Sequence, residues 1–416
     1  MEQMLKEMIN KERILVGLQW FILFALFAYD GFSYLPQSSN FALFKSIYYI
    51  LIFVAFLFVI ALQSHKGIIP YQQIGRISWI VQLYVWLYFA RLFYDFMIAN
   101  VEQEIVTNPF AAVFLYANAA IIPFYGLRFF RWDLIDTKRL NLGLLLIFLT
   151  MGVVSLNYIF TGKALEYLGS DGRFMGNESM DTIAFGHLGT SITILAITLW
   201  HQDDIRLWHK LLSIFAILAG LFISIAAGSR GAIVALIVCV LAYMYLQGHR
   251  RTLFIGIPIL ILVIYLTLPV VNDVLVQYNN HSMERLYNSL YNQEAMTGGV
   301  TSNRDILYQQ AWEHFTDSPI IGYSFFIKGE YAHNSILESF IGLGIVGGVL
   351  FLIIITYALY AVKKLTMLDK RYMFICLLFI QYLCYSIFSR TLSMLPLFWL
   401  SMFLVIIYHS KEKSIA

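Results

Sequence analysis

Long runs of apolar residues, separated by short polar segments, dominate the chain. A helix needs about 20 mostly apolar residues to cross the hydrocarbon core of a bilayer. The runs that meet this length lie at residues 14–35, 41–62, 77–99, 110–128, 141–160, 183–200, 211–228, 231–247, 252–271, 335–361, 372–389 and 392–409. The pattern predicts an all-α polytopic membrane protein of about twelve transmembrane helices, forming a single membrane domain over residues 1–416.

Composition supports a membrane protein over a soluble one. The 416 residues are 60% hydrophobic and only 13% charged, whereas soluble domains carry about 25% charged residues. A net charge of +3 without a long basic run gives no reason to expect a nucleic acid partner. The three cysteines, Cys239, Cys376 and Cys384, fall inside apolar runs, so no disulfide or metal site is predicted from them.

Lysine and arginine collect in alternate connecting segments. With the N-terminus in the cytoplasm, nineteen of the 28 Lys and Arg residues fall in inner segments, seven in outer segments and two within spans. Positive residues accumulate on the cytoplasmic side of membrane proteins. The asymmetry predicts that both termini are cytoplasmic. It also predicts that the largest loop, residues 272–332 between the ninth and tenth helices, is extracytoplasmic.

This large loop carries helical patterns of its own. An apolar stripe over residues 283–291 predicts one helix. Ser302 and Asp305 are spaced as a capping box, which predicts a second helix led by Arg304 and stopped by Pro319. An arginine beside the free N–H groups of a helix N-terminus suits a phosphate.

The loop ends at the outer interface, where residues 333–337 read His-Asn-Ser-Ile-Leu and enter the tenth span. Within that span, Gly344 and Gly348 have the GxxxG spacing that predicts close packing of helices. A very tight turn, residues 228–231 (Gly-Ser-Arg-Gly), joins the seventh and eighth spans.

Four stretches together resemble the O-antigen ligase and Wzy-type polysaccharide polymerase superfamily. They are the Gly228–Ala232 turn, the Arg304 helix ending in residues 317–322, the His333–Leu337 run before a glycine-rich span, and residues 172–177 around Arg173. Their order and position around one large outer loop carry the resemblance.

The resemblance implies a metal-independent, inverting membrane glycosyltransferase of the GT-C type, without a cofactor. It would take a glycan from undecaprenyl diphosphate and pass it to a carrier-linked glycan or to a lipid acceptor, with a chain-length regulator as a further expected partner. It would lie in the bacterial inner (plasma) membrane, with its active site facing the periplasm or exterior. His333, Arg304 and Arg230 are the implied catalytic residues. Arg230, Arg304, Arg173 and Asn334 are the implied contacts to diphosphate or glycan.

Several alternatives stay open. A repeat-unit polymerase is the first prediction and an O-antigen ligase the second, while a lipid-linked glycan flippase or transporter is the rival class. Each candidate also has a structural interpretation: Arg230 snorkelling to headgroups, Arg304 capping a surface helix, and His333 as a bonded boundary residue. Glu338 and Asp317 are alternative bases.

Other polar residues in or near the spans are predicted to be structural. Arg91 and Asp95, at i and i+4, are predicted to neutralise each other, and His187 is predicted to be a buried structural histidine. Glu102 and Glu104 have the spacing of a metal-dependent glycosyltransferase motif, but no metal is predicted.

Overall fold

The computed structural model describes residues 2–28, 41–64, 75–99, 101, 109–160, 181–202, 205–277, 284–291, 304–327 and 330–415. The α-helices are α1 (Glu2–Phe27), α2 (Phe41–Ser64), α3 (Ile77–Met97), α4 (Pro109–Tyr116), α5 (Ile122–Gly126), α6 (Thr137–Phe160), α7 (Thr182–Trp200), α8 (Leu207–Ala226), α9 (Arg230–Leu246), α10 (Arg250–Gln277), α11 (Glu284–Tyr291), α12 (Arg304–Asp317), α13 (Ser335–Leu368), α14 (Met373–Phe388) and α15 (Pro396–Ile415). A π-helical turn at Ala117–Ile121 joins α4 to α5. Short 3-10 turns lie at Leu127–Phe129, Trp132–Leu134, Lys370–Tyr372 and Leu392–Met394.

Within this described part, seven helical stretches are long and apolar enough to cross a membrane. They are Ile77–Met97, Ala112–Phe129, Thr137–Asn157, Thr182–Trp200, Leu207–Ala226, Ser335–Leu368 and Lys370–Phe388. The expectation of a helical membrane protein is thus confirmed. Every predicted span overlaps a helix, but the count of about twelve crossings stays a prediction.

The centre of the bundle is formed by α7, α14 and α15. Side chains of α14 are buried from Met373 to Ser386 without interruption. Peripheral helices instead leave one apolar face uncovered, as α8 does with Leu207, Leu211 and Leu218. A helix that is apolar on all sides is covered either by protein or by lipid, so these outer faces fit contact with acyl chains.

Helix α13 is broken at Gly344, which has φ +64° and ψ −163°. The hydrogen bond expected inside an unbroken helix, from the Ile345 N–H to the Ile341 carbonyl, is replaced by two others. The Ile345 N–H donates to the Pro319 carbonyl (2.8 Å), and the Ile341 carbonyl accepts from the Tyr323 N–H (2.7 Å). The segment 319–323 is therefore hydrogen-bonded into the break in α13.

The prediction that Gly344 serves the packing of two helices is wrong. A Cβ atom at this position would lie 2.2 Å from the Ile320 carbonyl oxygen, which belongs to the preceding loop rather than to another helix. Only glycine combines this left-handed backbone with such a close approach at little cost. Gly344 thus lets the loop backbone enter the helix.

Both helices predicted in the large loop are present, as α11 and α12. Helix α10 runs into the predicted loop as far as Gln277. A small antiparallel hairpin, not predicted, pairs Phe326–Ile327 with Glu330–Tyr331 just before α13. Residues 278–283, 292–303 and 328–329 lie outside the described part of the chain, and Ser302 of the predicted capping box is among them.

Candidate active site

Arg230 is the first residue of α9, placed there by the tight turn after α8. Gly228 reverses the chain with φ +57°. Ser229 is the N-cap, and its hydroxyl accepts from the Ala232 N–H. This arrangement leaves the Arg230 side chain exposed at the helix N-terminus, where the positive end of the helix dipole adds to its charge.

His333 stands at the entry to α13 in a strained conformation. Among the described residues it is the non-glycine residue with positive φ, at 51°, a region that side-chain-bearing residues rarely adopt. Its ring contacts the Tyr331 ring at 4.2 Å between centroids. Asn334 follows as the N-cap of α13, and its Oδ1 accepts from the Ile336 and Leu337 N–H groups (3.0 and 3.1 Å).

Two side chains near the start of α13 contact the carbonyl oxygen of Ser389, the residue just after α14. His333 Nδ1 lies 3.3 Å from it, and the Tyr331 hydroxyl donates to it at 3.3 Å. Burial raises the pKa of Tyr331, so this phenol keeps its proton. Because a carbonyl oxygen only accepts, His333 must carry its proton on Nδ1 when neutral, leaving the lone pair on Nε2.

The same Ser389 also meets the first turn of α9. A Cβ atom added to Gly231 would lie 3.2 Å from the Ser389 hydroxyl oxygen and 3.7 Å from Phe388 Cβ. The start of α9, with Arg230, and the start of α13, with His333, therefore approach the end of α14 together. We call this place, where the starts of α9 and α13 meet Ser389, the junction. The fold brings Arg230 and His333, two of the three predicted catalytic residues, to it from distant parts of the sequence.

Arg304 is the first residue of α12, as the pattern predicts. Helix α12 buries Ala311 in a small apolar cluster with Ile327, Ala332 and Ile341. The helix led by Arg304 is thereby packed against the residue next to His333. Arg173, the remaining candidate, lies outside the described residues, as do Glu102 and Glu104.

Arg390 is a residue whose role the sequence did not assign. Its Nη2 forms an ion pair with Asp181, the N-cap of α7, and its Nε donates to the Tyr385 hydroxyl at 3.0 Å. Arg390 directly follows Ser389, so a second arginine lies at the same junction as Arg230. The one signal in the sequence was its place among the seven positive residues of the predicted outer segments.

Glu338 lies within α13 one turn beyond the site, with no exposed surface. Its carboxylate accepts from the Tyr88 hydroxyl, from Thr391 Oγ1 (2.9 Å) and from the Leu392 N–H (3.2 Å). Two of these donors, Thr391 and Leu392, tie the segment that follows Ser389 and Arg390 to α13. Asp317, the other alternative base, is exposed at the end of α12.

The Arg91–Asp95 pair on α3 holds the segment that enters α13. Arg91 Nε lies 2.8 Å from Asp95 Oδ1, which confirms the predicted pairing. Asp95 Oδ2 also accepts from the Ser324 hydroxyl (3.0 Å) and the Phe325 N–H (3.2 Å). Two intramembrane charges therefore neutralise each other and anchor the loop that ends at His333.

A comparison with protein-family models shows which family the junction-forming segment is similar to. The family model described as O-antigen ligase matches residues 214–352. This stretch is similar to the O-antigen ligase family over about a third of the chain. The predicted resemblance is thus confirmed, and it supports a membrane enzyme of the O-antigen ligase or polymerase type. A search of curated proteins found no match.

The region matched to the O-antigen ligase family contains four of the five candidate site residues: Arg230, Arg304, His333 and Asn334. It also contains the Gly344 break and the segment 319–323 that fills it. The partners that complete the junction, Ser389 and Arg390, lie beyond it. The junction is therefore built from the segment matched to that family and from the helices that follow it.

Proposed function

We propose that this protein is a metal-independent, inverting glycosyltransferase that moves a glycan from undecaprenyl diphosphate to a second glycan or lipid. The observation that carries the proposal is the family match over residues 214–352, because it spans Arg230, Arg304 and His333. Two of these residues approach one junction beside Ser389. Three cationic or basic side chains on separate elements suit a diphosphate leaving group and an acceptor hydroxyl.

In the proposed reaction the acceptor hydroxyl oxygen attacks the anomeric carbon of the donor sugar. The bond from that carbon to the diphosphate oxygen breaks, and its electron pair leaves with the diphosphate. His333 Nε2 takes the hydroxyl proton, while the Nδ1–H group of His333 stays hydrogen-bonded to the Ser389 carbonyl oxygen. A single displacement from the face opposite the leaving group inverts the anomeric centre.

Arg230 and Arg304 are proposed to bind the diphosphate, because guanidinium groups bind phosphate oxygens bidentately and stay charged. Both are the first residues of helices, and a helix N-terminus adds N–H groups and a favourable dipole. Asn334 uses its amide oxygen as a cap, so its amide nitrogen is the group proposed to contact the glycan. Arg173 is proposed as a further contact.

Glu338 is not proposed as the base. It is buried beneath the junction and accepts from three donors, so an acceptor hydroxyl would have to displace one of them. His333 is half-buried and stands at the start of its helix. We therefore propose that His333 accepts the proton of the acceptor hydroxyl. Glu338 is proposed to hold residues 391–392 in position.

The proposed setting is a bacterial plasma membrane, with both termini in the cytoplasm and the junction facing outward. This orientation rests on the excess of Lys and Arg in the predicted inner segments. The proposed substrates are an undecaprenyl-diphosphate-linked donor and a carrier-linked or lipid acceptor. A chain-length regulator is the proposed protein partner.

A repeat-unit polymerase is the first proposal, and the similarity to the O-antigen ligase family favours the second, a ligase. Analysis of surface glycan from a deletion strain separates the two. Complementation with wild-type protein should restore the glycan, and complementation with His333→Ala should not. Loss of long chains with one repeat unit retained on the acceptor indicates a polymerase. Bare acceptor with long chains left on the carrier indicates a ligase, and unchanged glycan overturns the enzyme proposal.

A further inference from the structure

A groove of about 420 Å³ opens between the C-terminal parts of α13 and α15, at the end of the bundle opposite to His333. Tyr357 and Tyr360 of α13 form one wall, and His409 of α15 forms part of the other. Lys364 and Lys413 stand at the rim. None of these residues takes part in the proposed reaction.

The charges of this groove favour an anion. Lys364 Nζ lies 5.7 Å from the centre of the Tyr360 ring, which directs it along the tyrosine wall. Lys413 adds a second ammonium group, and the one carboxylate, Glu412, accepts a hydrogen bond from the Tyr372 hydroxyl at 2.8 Å. The groove therefore carries more positive than negative charge.

A buried polar group also faces this groove. His409 is 7% exposed, and the rings of Tyr357 and Tyr360 meet it nearly edge-on, with centroids 6.0 and 5.7 Å away. Within the described residues its Nδ1 makes no hydrogen bond. Buried polar atoms in native proteins are nearly always paired, so a histidine that lines the groove with an unpaired ring nitrogen suits a hydrogen-bonding ligand.

The depth of the groove matches the level of lipid headgroups. Beyond the break at Gly344, α13 continues for twenty residues to Lys364, which corresponds to about 30 Å of helix. The hydrocarbon core of a bilayer is also about 30 Å thick. A helix that crosses this core places Lys364 at the level of the headgroups, and the exposed Met367 and Leu368 offer apolar surface beside it.

We propose that this groove binds the phosphate of an anionic lipid headgroup, held by Lys364, Lys413 and His409. The lysines supply charge and the histidine a hydrogen bond, while the tyrosine wall and Met367 contact the glycerol and the first acyl carbons. The site is separate from the junction at His333, so the proposal does not depend on the proposed function.

The test is native mass spectrometry of the full-length protein in detergent, titrated with dihexanoyl phosphatidylglycerol. We expect saturable binding, weakened about tenfold or more by Lys364→Gln and by Lys413→Gln, since each removes one charge-assisted hydrogen bond. Lys363→Gln is the matched control, because Lys363 is the exposed neighbour of Lys364 and does not line the groove. It should bind like wild type.

Two further titrations identify the ligand. Dihexanoyl phosphatidylcholine should bind at least about tenfold more weakly, because its headgroup has no net charge for the lysines to attract. Equal binding of both lipids, or equal weakening by Lys363→Gln and Lys364→Gln, would overturn the site. Sodium phosphate that displaces the lipid at the same concentration would overturn the lipid assignment and identify free phosphate as the ligand.

Discussion

His333 Nδ1 lies 3.3 Å from the carbonyl oxygen of Ser389. This contact joins the start of α13 to the end of α14, and it orients the imidazole so that Nε2 carries the lone pair. Ser389 in turn lies against the first turn of α9. Ser389 thus contacts the proposed base through its carbonyl oxygen and approaches the helix that begins with Arg230 through its hydroxyl.

Replacing His333 with alanine should lower the rate of glycan transfer by about 100- to 10,000-fold, since that is the usual contribution of a general base. The protein should still insert and bind the carrier lipid. Transfer is measured with purified protein and carrier-linked donor. His201→Ala, an exposed histidine bonded within its own helix, is the control and should keep normal activity. Normal transfer by His333→Ala would remove this residue from the mechanism.

Arg390→Ala and Asp181→Ala should impair transfer through one shared interaction, because the two side chains form an ion pair that ties α7 to the junction. The double variant should therefore fall no further than the worse single variant. A coupling energy of roughly 0.5–3 kcal/mol is typical for residues in direct contact. The Arg371–Asp369 pair at the other end of the bundle gives the matched control cycle. Strictly additive losses for Arg390 and Asp181 would mean that they act separately.

Glu338→Gln should lower the stability of the protein, because a buried amide cannot accept from all three donors that now meet the carboxylate. Leaving a buried donor unsatisfied costs about 1–3 kcal/mol. Tyr88→Phe removes one donor and leaves the carboxylate two partners, so its effect should be smaller. Thermal unfolding in detergent measures both variants. Loss of transfer by Glu338→Gln with an unchanged unfolding midpoint would instead indicate a direct chemical role.

Gly344→Ala should disrupt the entry of segment 319–323 into α13. The added Cβ would meet the Ile320 carbonyl 2.2 Å away, and the left-handed backbone alone costs about 1–3 kcal/mol for a residue other than glycine. Gly17→Ala in α1 is the control, since a Cβ there has nothing within 4 Å. Yield and unfolding temperature in detergent should fall for Gly344→Ala alone. Equal behaviour of both variants would contradict the break in α13.

A cysteine at Ser289 in α11 should react with an impermeant thiol reagent on intact spheroplasts, since the large loop is predicted to face outward. The three native cysteines are buried and give a low background. Labelling that appears only after lysis would reverse the orientation and place the junction in the cytoplasm. A cysteine at Ser410, near the C-terminus, should show the opposite pattern.

The sequence by itself determined the helices and the residues that begin them. Apolar runs long enough to cross a bilayer predict helices locally, because in lipid a helix satisfies its own backbone groups. The start of α9 and the end of α12 were predicted for the same reason: Gly228 and Pro319 act on their immediate neighbours. The motifs that resemble the family could also be recognised from the sequence alone, since each is a short contiguous run.

Only the tertiary structure decided which polar groups meet. Arg390 and Asp181 pair across 209 positions, and His333 reaches Ser389 across 56. Gly344 had a spacing that indicates helix packing, but its role depends on a loop segment whose N–H and carbonyl groups take over two helical hydrogen bonds. Local sequence does not specify such partners, because a buried charge or an unpaired backbone group can pair with any complementary group that the fold brings to it in the right geometry.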